Sequence, residues 1–186
     1  VVNGFGFLFV AGFTAANKLY GVLEMASLSY GYAITTYVGQ NLGAKKYRRI
    51  RNGVRSGVYM ALITSIVISG VMVITGRNIL SLFVSGEAGQ VKQVLDIAYK
   101  YLFIMAIFLW VLYLLYVYRS AIQGLGNTLI PLASGVVEFC MRVGVALLLP
   151  KLIGEDGIFY AEISAWSGAA ILLIVSYVVI IRKYKE

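Results

Sequence analysis

Histidine is absent from this 186-residue chain, cysteine occurs once and proline twice. Without histidine, Ser-His-Asp and Cys-His catalysis and histidine-based metal sites have no residue to act through. With Cys140 alone, no disulfide can form within the chain. Charge is scarce as well: 13% of residues are charged and 60% are hydrophobic. A soluble domain carries about 25% and about 45–50% respectively. The mean hydropathy is +0.85. A soluble core of this size has no interior large enough for that surplus, so the surplus faces lipid.

The apolar residues fall into five runs, roughly 7–41, 53–75, 94–122, 128–149 and 157–181. Each reaches the length of about 20 residues that a helix needs to cross a bilayer. The runs are continuous rather than alternating, which favours helices over barrel strands. The fold class expected is therefore all-α integral membrane, with five transmembrane helices. Helix-ending chemistry sits at the breaks. Gly43 follows the first run, where a left-handed C-cap wants glycine. Gly124 and Gly126 close the third. Thr128 offers an N-cap to the fourth, with Pro131 in its first turn and Pro150 at its end. Gly154 and Gly157 flank the polar pair Glu155-Asp156 before the fifth. The opening residues Val1-Val2-Asn3 have neither an initiator methionine nor a signal-peptide pattern, which reads as the interior of a longer protein.

The net charge of +8 is distributed at the ends of the apolar runs. Lys45, Lys46, Arg48, Arg49, Arg51 and Arg55 lie between the first two. Arg119 sits near the next loop on that side, and Arg182, Lys183 and Lys185 end the chain there. The opposite loops carry Glu87, Glu155 and Asp156. This is the distribution of the positive-inside rule, and it assigns the basic side and the C-terminus to the cytoplasm and the N-terminus to the exterior of the plasma membrane. It also accounts for the charge without nucleic acid.

A charged side chain at mid-bilayer costs about 2.5–3.5 kcal/mol on insertion scales and calls for a partner or a task. Glu24 lies near the middle of the first helix, on a stripe with Asn17, Tyr20, Ser27, Gly31 and Thr35 at helical spacing. Such a stripe lines a substrate or ion path, or packs one helix on another. Glu138 and Arg142 are four residues apart on the fourth helix and are placed to pair with each other. Their pairing reads as a structural lock or as one that breaks during transport. Glu162 reads as a carboxylate snorkelling to the outer surface or as an ion site, and Lys18 as an external snorkeller. The third helix is rich in aromatics, which anchor helices at interfaces and attract organic cations. Trp110 and Tyr113 lie deepest and are the cavity candidates. The spacing of Gly39 and Gly43 permits close helix approach. No G-K-[ST] follows them, so they form no phosphate loop.

Val38-Gly39-Gln40-Asn41-Leu42-Gly43-Ala44 resembles the V-G-Q-x-x-G-A signature closing the second helix of each lobe in the multidrug and toxic compound extrusion (MATE) family. Arg119, then Gln123-Gly124-Leu125-Gly126-Asn127-Thr128 and Pro131, resembles that family's turn between the fourth and fifth helices of a lobe. Gly154 to Gly157, with Ala161 and Trp166, resembles the start of the last helix. The resemblance implies helices eight to twelve of a twelve-helix, two-lobe transporter, partnered by a first lobe outside this chain and inactive without it. It implies efflux of drugs, often cationic and aromatic, in exchange for Na+ or H+, with no cofactor besides that ion. One departure stands out. Some branches carry a carboxylate on the helix before the Q-G-x-G turn, and here Leu112 lies near that depth. Coupling then falls to a first-lobe acid, Glu24 or Glu138, the latter two also being the residues at which Na+ could bind. Two alternatives remain in view: a lipid-linked saccharide flippase of the same superfamily and a non-transporting membrane scaffold. A membrane-embedded protease is disfavoured, because the spans hold no aspartate pair and no histidine.

Overall fold

The computed structural model describes residues 2–184. Val1 and Lys185, used above in reading the chain ends, lie outside the described residues. Among the described residues every regular element is helical. The five long helices are α1 (Phe7–Gly43), α2 (Tyr47–Ser81), α3 (Ala88–Gly124), α4 (Leu129–Leu148) and, after a single turn α5 (Pro150–Ile153) and a 3-10 turn (Gly154–Ile158), α6 (Phe159–Ile181). Among the described residues three stretches are, by length and composition, apolar enough to cross a membrane: Tyr47–Ser81, Gly89–Gly124 and Leu129–Ile181, the last containing both α4 and α6. α1 is as long as α3 but is not among them. Asn17, Lys18 and Glu24 interrupt its apolar run, so the five segments expected to cross are not equally apolar.

The expected boundaries shift in a consistent way. α2 starts at Tyr47 rather than near Gly53, because Arg48, Arg49, Arg51 and Arg55 are good helix formers that prolong it outward. Gly43 does not take the left-handed cap. It remains helical, Ala44 caps the helix, and the left-handed residue is Lys45, at φ 56°. Thr128 makes no side-chain cap. Asn127 takes that task, its Oδ1 accepting from the Ile130 N–H at 3.1 Å. Pro150 does not stop the chain's helical path but opens α5, and the reversal waits for Gly154, at φ 73°.

α3 is the hub. It lies parallel to α1, with Gly12 of α1 against Val94 and Ile97, and Gly124 of α3 against Thr35 and Val38. A Cβ at Gly124 would stand 2.7 Å from the Val38 Cβ and 2.9 Å from the Thr35 carbonyl oxygen. Gly124 therefore sets the close approach that the sequence assigned to Gly39 and Gly43. The nearest atom to a Cβ at Gly39 lies 3.9 Å away, and Gly43 faces open space. α6 is also parallel to α3, through Tyr101–Phe159 near one end and Tyr118–Tyr177 near the other. α2 runs antiparallel, tied by Tyr30 to Thr64 (2.6 Å), by Ser69 to the Ala106 carbonyl (2.6 Å) and by Tyr99 to the Val73 carbonyl (2.8 Å). α4 packs chiefly on α6, Val137 and Met141 meeting Gly168. The core is built on α3, where Leu109, Leu112, Tyr113 and Leu115 are all buried.

Candidate ion and substrate site

The polar stripe of α1 faces α3 along most of its length. Asn17 accepts from the Tyr101 hydroxyl at 3.2 Å, Gly31 makes room for Ser120, and Thr35 donates to the Ser120 carbonyl at 3.3 Å. Ser27 is buried and donates to the Glu24 carbonyl. One member of the stripe turns further round, to α6, and one meets α3 through its carboxylate. Tyr20 stacks on Trp166 of α6, with centroids 5.6 Å apart. The Glu24 carboxylate accepts a hydrogen bond of 2.7 Å from the Tyr116 hydroxyl of α3.

One turn beyond Tyr116, on the same side of α3, Arg119 reaches α4. Its Nη2 donates to Ser134 Oγ at 3.1 Å and forms an ion pair with Glu138. Ser134 in turn donates to the Pro131 carbonyl at 2.7 Å, so its one oxygen both accepts and donates. Arg142, on α4, pairs with Glu162 of α6 at 2.8 Å. The expected Glu138–Arg142 pair is thus replaced by two bridges to neighbouring helices. Spacing of four residues makes an intrahelical pair possible, but each charge finds a partner that also closes a helix interface. Glu162 is correspondingly held by Arg142 instead of snorkelling free.

Three half-buried carboxylates (Glu24, Glu138, Glu162) and two guanidiniums (Arg119, Arg142) therefore link α1, α3, α4 and α6. The count leaves one negative charge over. Among the described residues, Glu24 is the member of the three with no cationic partner within 4 Å. Beside it, α1 and α3 frame a cleft of 210 Å³ lined by Gly31, Thr35, Tyr116, Arg119, Ser120 and Gln123, among others. Gln123 and Arg119, read from the sequence as parts of a turn, thus contribute to the wall of a cavity.

The two aromatic candidates separate. Tyr113 is fully buried, tilted against Tyr30 at 5.8 Å, and its hydroxyl has no partner among the described residues. Trp110 is 45% exposed. Composition and local motif single out neither Tyr116 nor Ser134. Their signal was spacing: Tyr116 and Arg119 are three apart on α3, and Ser134 and Glu138 four apart on α4, each pair sharing a face. Among the described residues no three acidic or thiol side chains converge as a metal site would require. Leu112, at the depth where a carboxylate was considered, is buried in the core.

The MatE family pattern matches residues 1–148, covering α1 through α4 with the Val38–Ala44 and Gln123–Pro131 segments. This chain belongs to the MatE family. Members of MatE are transporters, and the apolar helices make this one a membrane protein. The MatE match ends before α6, so Glu162 and Trp166 lie beyond it. Among curated proteins the chain is similar to the "Probable multidrug resistance protein YoeA" of Bacillus subtilis (strain 168), at 25% identity over 162 residues. The alignment covers 87% of this chain and 30% of the relative, so the chain spans under a third of that protein's length.

Proposed function

We propose that this chain supplies part of the translocation pathway of a multidrug efflux antiporter, with Glu24 as the carboxylate that exchanges H+ or binds Na+. Glu24's bonding carries the reading. A carboxylate neutralised by a guanidinium is held in one charge state. One held by a phenol is not, and can accept a proton or a sodium ion as its environment changes. Tyr116, which also lines the cleft, holds the carboxylate by a hydrogen bond without cancelling its charge. A bound sodium ion would take its other ligands from neutral oxygens such as that phenol. Family membership and the similarity to the probable multidrug resistance protein of Bacillus subtilis support drug export. The expected substrates are cationic and aromatic, drawn by the excess negative charge and by the rings near it.

The same charge pattern speaks against the flippase alternative. A lipid pyrophosphate needs unpaired deep cations, whereas Arg119 and Arg142 are each committed to a carboxylate. The basic end, with Lys45 through Arg55, faces the cytosol in this reading, by the positive-inside rule. The test is gradient-driven efflux of a cationic dye from proteoliposomes that hold the complete two-lobe transporter, because this chain by itself is expected not to transport. Glu24→Gln is expected to abolish ion-coupled efflux while the protein still inserts and folds, and Glu162→Gln to reduce it less. Equal activity of the two variants would remove Glu24 from the coupling role, and dye movement indifferent to any Na+ or H+ gradient would remove antiport.

A further inference from the structure

At the basic end of the bundle, α2, α3 and α6 leave a groove of 330 Å³ that no part of the transport reading uses. Its wall holds Val58, Ile181 and the rings of Tyr118 and Tyr177, whose centroids are 5.4 Å apart. Arg51 and Arg55, one turn apart on α2, complete it. Arg55 lies over the Tyr59 ring, 5.6 Å from its centroid. Arg51 donates to the Tyr184 carbonyl at 2.6 Å and so ties α2 to the end of α6. Among the described residues neither guanidinium has a carboxylate within 4 Å, in contrast to Arg77, Arg119 and Arg142. The Tyr118 and Tyr177 hydroxyls donate to no protein acceptor among the described residues. The side chains of this groove thus offer positive charge, hydroxyl donors and apolar surface, and no counter-charge.

Its depth narrows the choice of ligand. Arg51 and Arg55 lie about 6 Å and 12 Å along α2 from Tyr47, at 1.5 Å per residue. α2 has 35 residues. That makes it about 52 Å long, well beyond the roughly 30 Å of hydrocarbon, so its first turns stand at headgroup level. We propose that this groove binds an anionic glycerophospholipid, its phosphodiester between Arg51 and Arg55 and an acyl chain along the Val58–Ile181 wall. A zwitterionic lipid would bring its own cation to a site that already has two. Inorganic phosphate would leave the apolar wall unused. Basic pockets between membrane helices are suited to such headgroups.

Native mass spectrometry of the purified protein, titrated with dioleoylphosphatidylglycerol or dioleoylphosphatidylcholine, tests this. Phosphatidylglycerol is expected to be retained in preference. Arg55→Gln touches no interhelical bond and is expected to weaken that retention about fivefold, the effect of one headgroup-level charge. Arg51→Gln should act similarly if the protein still folds, and Arg48→Gln, outside the groove, should change it by less than about twofold. Equal retention of phosphatidylcholine, displacement of the lipid by inorganic phosphate, or an unchanged Arg55→Gln variant would each overturn the proposal.

Discussion

α2 and α3 are close in length and equal in mean hydropathy across their most apolar stretches, yet they live in different surroundings. In α3, 56% of that stretch is buried against other helices, and in α2 only 17% is. Ile63, Ile66, Val67 and Ile74 of α2 point outward, while Leu109, Leu112 and Leu115 of α3 point into the core. Lipid tails and protein interiors are about equally apolar. Hydropathy thus tells that both helices leave water and is silent about which one the others gather around. What distinguishes α3 is its pattern of small and polar residues, Gly124, Ser120, Tyr116 and Arg119, where neighbours come close or bond.

Matched substitutions in the two helices sharpen that contrast, and unfolding in detergent reads them. The largest expected effect is at the charges. Arg119→Ala strands Glu138 in a half-buried site and is expected to cost about 3–5 kcal/mol, whereas Arg77→Ala removes an exposed pair with Asp96 worth about 0–1 kcal/mol. Leu109→Ala follows at about 2–5 kcal/mol for the cavity left in the core. Ile66→Ala, on the lipid face, should cost well under that, since lipid fills the space. Gly124→Leu comes third, at about 1–3 kcal/mol for forcing α1 and α3 apart, against almost nothing for Gly70→Leu, where a Cβ meets open space. Smallest is Ser69→Ala, which breaks the hydrogen bond to the Ala106 carbonyl and should cost about 0.6 kcal/mol. If the α2 variants proved as costly as their α3 counterparts, the hub assignment would be wrong.

Much of the fold was readable from local chemistry. The apolar runs located all five long helices, because an interruption by Gly, Pro and charge is a property of neighbouring residues. Their ends were less readable. The arginines of α2 look like a loop by polarity but favour helix by propensity, and the cap of α4 falls on Asn127, adjacent to the threonine that the pattern preferred. At the site, Glu24 stood out because a mid-helix carboxylate in an apolar run is costly. Its partner did not, because Tyr116 was one of many tyrosines and lies 92 residues away in the chain. The Glu138–Arg142 pairing failed for the same reason. Spacing along one helix shows which charges share a face, not which helix that face meets.

By itself, then, the sequence determined the solvent and the secondary structure: its composition requires lipid, its continuous apolar runs require helices, and its glycine and proline breaks limit them. The tertiary structure decided the partners. It placed α3 at the centre, sent Arg119 to Glu138 and Arg142 to Glu162, and brought the Tyr116 phenol to Glu24. The physical reason is that burial in lipid is paid residue by residue and is written in each residue's chemistry. Charge pairing depends instead on distances between helices, and those are set only when Gly124, Gly31 and Gly12 let particular backbones meet.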